Sequence, residues 1–158
     1  MLIAIEQARP ADAPIIAELA GELLYEIMAA TGDRVFGVDC AATAQRARAW
    51  LADGTSLMWL ARHGASGDCL GFVALYEGYA LYAEGAFGTI SELFVRPAYR
   101  SQGVGAALLK EVTGCAISRK WTRVEVTTPP LPQFERALAF YERHGFAISG
   151  GRKMKVTV

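Results

Sequence analysis

Apolar positions change period along this chain, and the changes mark out its elements. Residues 2–9 alternate as a strand does, and Asp12 and Pro14 then open a stripe of Ile15, Ile16, Leu19, Ala20, Leu23, Leu24 and Ile27, which predicts an amphipathic helix over 13–28. Thr31-Gly32-Asp33 and Gly37 break the pattern, so 29–39 reads as a loop. Asp39 caps a weaker helix reaching about Leu51, with Trp50 turned inward. Strand-like runs at 57–62 and 70–76 flank a hairpin loop, 63–68, with His63 solvated; 78–88 is a further loop, carrying Tyr79, Tyr82 and Phe87. The β-branched and large apolar run 89–95 is a strand that Pro97 ends. Val104, Leu108, Val112 and Cys115 then recur at helical spacing, predicting a helix over 104–119 that begins near Gly103, with Cys115 in the core. A fifth strand follows at 123–127, then a helix through Ala137, Leu138, Tyr141 and His144 with Gly145 as its C-cap, and two last strands at 146–149 and 153–158.

The order β-α-α-β-β-β-α-β-α-β-β predicts an α/β fold, a mixed sheet covered by helices, in one domain over 1–158. Sixteen basic residues balance sixteen acidic ones without a dense Lys/Arg cluster, which argues against nucleic acid as the main partner. No run approaches the roughly 18 apolar residues of a membrane span, and MLIAIEQARP has no basic segment ahead of its apolar residues, so a soluble, cytoplasmic protein without a signal peptide is expected. Cys40, Cys69 and Cys115 are widely spaced, which predicts reduced thiols and neither a disulfide frame nor a metal site.

Chemistry concentrates in 89–110, TISELFVRPAYRSQGVGAALLK. Glycines at the mouth of a helix that follows a strand let the backbone approach a ligand, and the unpaired N–H groups of the first turn attract anions, phosphate above all. A P-loop would need Gly-Lys-Ser/Thr where Gly105-Ala106-Ala107 stands, and a dinucleotide fingerprint would need a small residue where Leu108 stands. Arg100-x-x-Gly103-x-Gly105 resembles the acyl-coenzyme A signature of the GNAT superfamily of N-acetyltransferases, and Phe140-Tyr141-Glu142-Arg143-His144-Gly145-Phe146 resembles its C-terminal Phe-Tyr-x-x-x-Gly-Phe motif.

The resemblance implies a mostly antiparallel sheet of about seven strands, splayed between the fourth and fifth, with four flanking helices and acetyl-coenzyme A in the gap. Leu93, Phe94 and Val95 would line the cofactor's pantetheine arm, with Phe94 and Val95 offering backbone groups and the Val95 N–H polarising the thioester. Arg100, Ser101, Gln102, Gly103, Val104, Gly105 and Ala106 would hold its diphosphate, with Phe134 and Phe140 as further contacts. Phe134 stands where the family usually has an asparagine, a departure that concerns one cofactor contact. Tyr25, Phe36, Tyr79, Tyr82, Glu92 and Thr128 would border the acceptor amine, with Arg34 nearby; ordinary surface and packing roles compete for the aromatic residues.

Glu92 shares a strand face with Ile90 and Phe94, and the partial desolvation this brings would raise its carboxyl pKa toward the range of a general base. Simple pairing with a basic neighbour, or electrostatic binding of a cationic substrate, is the competing role. Tyr141 is the candidate proton donor, against a packing role for its ring. Together they favour an acetyl-coenzyme A-dependent N-acetyltransferase acting on a small primary amine through a ternary complex, over a non-catalytic cofactor sensor, which would need neither proton carrier. Acetylation of a protein amino group would need an open groove, whereas 78–88 and the proline-rich 128–132 predict a closed pocket. Apolar edge strands at the C-terminus make a homodimer the expected assembly.

Overall fold

The alternation at the start of the chain forms β1 (Ile3–Gln7), antiparallel to β2 (Leu57–His63). The computed structural model describes residues 1–34 and 36–158, so residue 35 of the expected loop lies outside the described residues. Two compact units result, Met1–Thr127 and Thr128–Val158.

In the first unit, β3 (Cys69–Ala80) and β4 (Gly85–Val95) continue the antiparallel ladder, and β5 (Val124–Val126) joins β4 in parallel, giving the order β1-β2-β3-β4-β5. One face packs Met58, Leu60, Phe72, Ala74 and Phe94 against Ile16 and Leu19 of α1 (Ala13–Thr31) and Ala47 of α2 (Cys40–Asp53). α3 (Val104–Ser118) packs against β1 to β4 through Val104, Leu108, Leu109 and Val112. The alternate strand positions Ala61, Val73 and Leu75 are buried on that side.

The Asp39 side chain accepts from Ala42 N at 2.9 Å, as an N-cap does, while the Asp12 carboxylate serves the Arg9 N–H and the Arg62 guanidinium instead of capping α1. α2 turns Ala47 and Leu51 inward and leaves Trp50 44% exposed, contrary to its expected burial. Cys115 is only half-buried, because the stripe of α3 reaches full burial at Val112 and runs out beyond it. The expected 78–88 loop is mostly ladder: Gly78 pairs with Phe87 and Ala80 with Gly85, leaving a 3₁₀ turn, Leu81–Ala83, and Glu84 at φ +58°. A Cβ on Gly78 would stand 3.0 Å from the Phe87 ring, so the missing side chain is what lets the ring lie across the strand.

Among the described residues the sheet has five strands, not about seven. Residues 146–158 form none, although Met154, Val156 and Val158 alternate with polar residues as a strand would. A strand exists only by pairing, and these three side chains are 92%, 83% and 115% exposed. The second unit instead contributes α4 (Glu135–Arg143), followed by Gly145 at φ +87°.

Gly71 shows how closely β3 and β4 approach. A Cβ there would stand 2.3 Å from the Phe94 carbonyl oxygen and 3.0 Å from Val95 Cα, both backbone atoms of β4. Gly71→Ala is therefore expected to destabilise the protein by about 3 kcal/mol, lowering Tm by roughly 6–12 °C. Thermal denaturation checks this, and a Tm within about a degree of wild type would contradict so close an approach.

Candidate functional site

The pairing of β4 decides which of its groups are offered outward. Arg96 N donates to Leu70 O at 2.9 Å, so by antiparallel alternation Phe94 also spends its backbone groups on β3, while Leu93 and Val95 turn theirs to the other edge. β5 pairs with Gly88, Thr89 and Ile90, so among the described residues the Ser91–Val95 part of that edge has no strand beside it. The open backbone groups expected at Phe94 and Val95 thus belong to Leu93 and to the N–H of Val95, whose carbonyl accepts from Arg100, with the Phe94 ring buried in the core.

Beyond β4, a 3₁₀ turn at Pro97–Tyr99 leads to Ser101 at φ +59° and Gly103 at φ +88°, which opens α3. Ala107 N makes the first bond of the helix, to Gly103 O. Among the described residues, the backbone N–H groups of Ser101, Gln102, Gly103, Val104, Gly105 and Ala106 have no acceptor. Six unpaired donors at a helix N-terminus form a cradle that a diphosphate fits.

Arg100 is held beside this cradle by other residues. Its guanidinium donates to Val95 O at 2.8 Å and makes a two-pronged bond with Glu26 of α1 at 2.9 and 2.6 Å, lying over the Phe94 ring. It therefore ties the turn to α1. Arg96, one helical turn's spacing earlier, donates to Glu22 and Glu18 of the same helix and to Cys69 O. The reading from sequence missed Glu26, and the signal was present: Glu18, Glu22 and Glu26 recur every fourth residue, matching the spacing of Arg96 and Arg100.

Glu92 lies on the α1–α2 face, opposite Ala74 and in line with Phe94. The register shifts between Ala74 and Leu75, so Ile90 pairs with Leu75 and turns to the α3 face, correcting the expected alignment of Ile90 with Glu92. Ser91, the extra residue, donates its hydroxyl to Ala74 O at 3.3 Å. Burial pushes the Glu92 carboxyl above its ordinary range, with a smaller opposing contribution from Ser91. Among the described residues, no basic side chain lies within ion-pair distance of Glu92.

The bulge also sorts the aromatic residues. Tyr79 stands with Glu77 on the α3 face, its hydroxyl donating to Glu77, which also accepts from Trp121 Nε1 at 2.5 Å. Tyr76 and Phe87 share the Glu92 face; the first was missed because 70–76 read as plain sheet. Tyr82 is 74% exposed in the 3₁₀ turn, Tyr25 on α1 61% and Phe36 42%.

In the second unit, Tyr141 packs edge-on against Phe140 and Phe146, each at 5.3 Å between ring centroids, and burial pushes its phenol up to about 12. Phe134 occupies the N-cap position of α4, and Thr128 is half-buried.

Residues 54–148 match the acetyltransferase (GNAT) domain family. An uncharacterized N-acetyltransferase of Mycobacterium tuberculosis is 29% identical over 119 residues, spanning 75% of this chain and 70% of that protein. Two solved structures share the fold. An aminoglycoside acetyltransferase from an uncultured soil metagenomic sample has a TM-score of 0.77 at 21% identity, covering 100% of this chain and 99% of that one. A ribosomal-protein-alanine N-acetyltransferase from Brucella melitensis has a TM-score of 0.73 at 21% identity, covering 99% and 100%. With the open β4 edge running into a glycine turn that offers six free amides, the family match identifies the chain as a member of the GNAT acetyltransferases.

Proposed function

We propose that this acetyltransferase is one catalytic domain that acetylates the primary amine of a small molecule held together with acetyl-CoA in a ternary complex. The family match crosses the boundary between the two compact units, which supports one domain. Acetyl-CoA is the family's defining cofactor and supplies an acetyl group activated as a thioester.

The amides of Ser101 to Ala106 fit its diphosphate, and Leu93 and Val95 present backbone groups to its arm. The Val95 N–H would donate to the acyl carbonyl oxygen, where an amide donor is most effective in a desolvated site. Glu92 takes the proton from the attacking nitrogen, directly or through one water. Tyr141, still protonated at neutral pH, gives a proton to the leaving sulfur. The observation that carries this reading is Glu92 itself, a desolvated carboxyl with no ion-pair partner among the described residues, on the strand whose open edge runs into the glycine turn.

The test is calorimetric titration with acetyl-CoA, followed by free-thiol release across a panel of primary amines. Binding and turnover are expected, with Tyr141→Phe keeping cofactor affinity and losing about tenfold or more in kcat. Binding without turnover on any amine would return the protein to a cofactor sensor. An unchanged kcat in Tyr141→Phe would leave its ring a packing role only.

A further inference from the structure

Past Glu92, the α1–α2 face of β3 and β4 continues as a strip of aromatic side chains. Tyr76 pairs with Thr89 and is 45% exposed, Phe87 comes next on that face, and Tyr82 closes the strip from the hairpin turn. Arg123, just before β5, lies over both outer rings, with its guanidinium carbon 5.0 Å from the Tyr82 centroid and 5.9 Å from that of Phe87. It also lines an open groove of about 270 Å³ with Tyr82, Ala83, Glu84 and Thr122.

Arg123 differs from Arg62, Arg96 and Arg100, and shares its stacked, loosely paired state with Arg119, which lies over Trp121 with Glu77 at 3.5 Å. Arg62, Arg96 and Arg100 all spend their guanidinium donors on carboxylates and carbonyls. Among the described residues, that of Arg123 donates no hydrogen bond, and its one ionic neighbour is Glu125 at a loose 3.7 Å. A guanidinium fixed by stacking, with its planar fork of donors unspent, is preorganised to take a carboxylate or phosphate oxygen pair.

The distance to Glu92 sets the size of the guest. Phe87 and Glu92 are five residues apart on β4, and at about 3.4 Å per residue, less the bulge, the span is roughly 13–16 Å. We infer that the acceptor is an elongated amine with an anionic group about 15 Å from its reactive nitrogen, the amine at Glu92, the body along Tyr76 and Phe87, and the anion on Arg123. This rests on the reading of Glu92 as the place where the amine reacts.

An oligoglycine ladder, from diglycine to pentaglycine as free acids and as C-terminal amides, serves as the ruler, with kcat/KM read by thiol release. The acid is expected to be preferred over the amide by about tenfold at tetra- and pentaglycine, with no preference at diglycine. Arg123→Gln should abolish the preference; because the readout is the ratio of acid to amide, a general loss of activity does not imitate it. Equal turnover of acid and amide at every length, or a preference that survives Arg123→Gln, overturns the anion assignment and leaves acetyl transfer standing. No turnover of any member, with acetyl-CoA still bound, overturns the assignment together with the reading of the Glu92 face beneath it.

Discussion

Glu92→Gln is expected to lower kcat by about 10²–10⁴-fold and, at neutral pH, to raise Tm. The opposite signs have one cause. Burial holds the Glu92 carboxyl pKa above its ordinary value, and no basic group among the described residues is in reach to offset the cost of ionising it. The folded protein therefore binds this proton more tightly than the unfolded chain does. The stability gained from the protonated form is complete below the ordinary carboxyl range and is lost as pH rises through the raised value. Glutamine, neutral throughout, escapes that loss. The Tm advantage of the variant should be present at pH 7 and vanish below about pH 4. Activity runs the other way: the general base must be ionised, so kcat/KM should climb through the raised pKa in wild type, and the variant should lack that limb. A Tm at pH 7 below that of wild type would show Glu92 to be held by a favourable partner, and an unchanged kcat would remove it as the base.

What the chain disclosed in advance depended on the range of the interaction. The Asp39 cap, the stop at Pro97 and the start of α3 after Gly103 are each set within a few residues, and each stands where the pattern put it. Arg100 was legible as a charge beside the turn, but its partner Glu26 lies 74 residues earlier on another element, and only the fold brings them together. The face occupied by a strand residue has the same character. Strict alternation aligns Ile90 with Glu92, and one extra residue at Ser91 sends Ile90 to α3. Further along the hairpin, Tyr76, which drew no attention, stands on the Glu92 face and Tyr79 on the other. The 153–158 segment shows the limit from the other side, since alternation specifies which face would be apolar and says nothing of whether a neighbouring strand exists.

The acid stripe on α1 holds the glycine turn in place. The Arg100–Glu26 pair is about one-third exposed on each side, so as a stabilising ion pair it contributes only up to ~1 kcal/mol. Its larger effect is positional. Arg100 also bonds Val95 O, fixing the last residue of β4 and the first residue before the glycine turn with one side chain. The free Val95 N–H and the free amides from Ser101 onward are thereby held in one frame, which is what differential binding of an extended ligand requires.

Gly103→Val should lower acetyl-CoA affinity by about 100-fold or more while lowering Tm by only a few degrees. Gly103 sits at φ +88°, and an L-residue in that region costs about 1–2 kcal/mol, more when β-branched. A Cβ there meets no atom within 4 Å, so the strain is relieved by the turn shifting its own backbone and not by displacing the core. That shift misaims amides that are useful only while they converge. Each bond from an N–H to a charged oxygen is worth about 1.5–3 kcal/mol, so losing one or two accounts for the expected change. Gly71→Ala is the contrasting case, with its clash against the β4 backbone falling on stability. Calorimetric titration of both variants, paired with their melting curves, separates the two effects. Gly103→Val binding acetyl-CoA as tightly as wild type would take the turn out of the cofactor site.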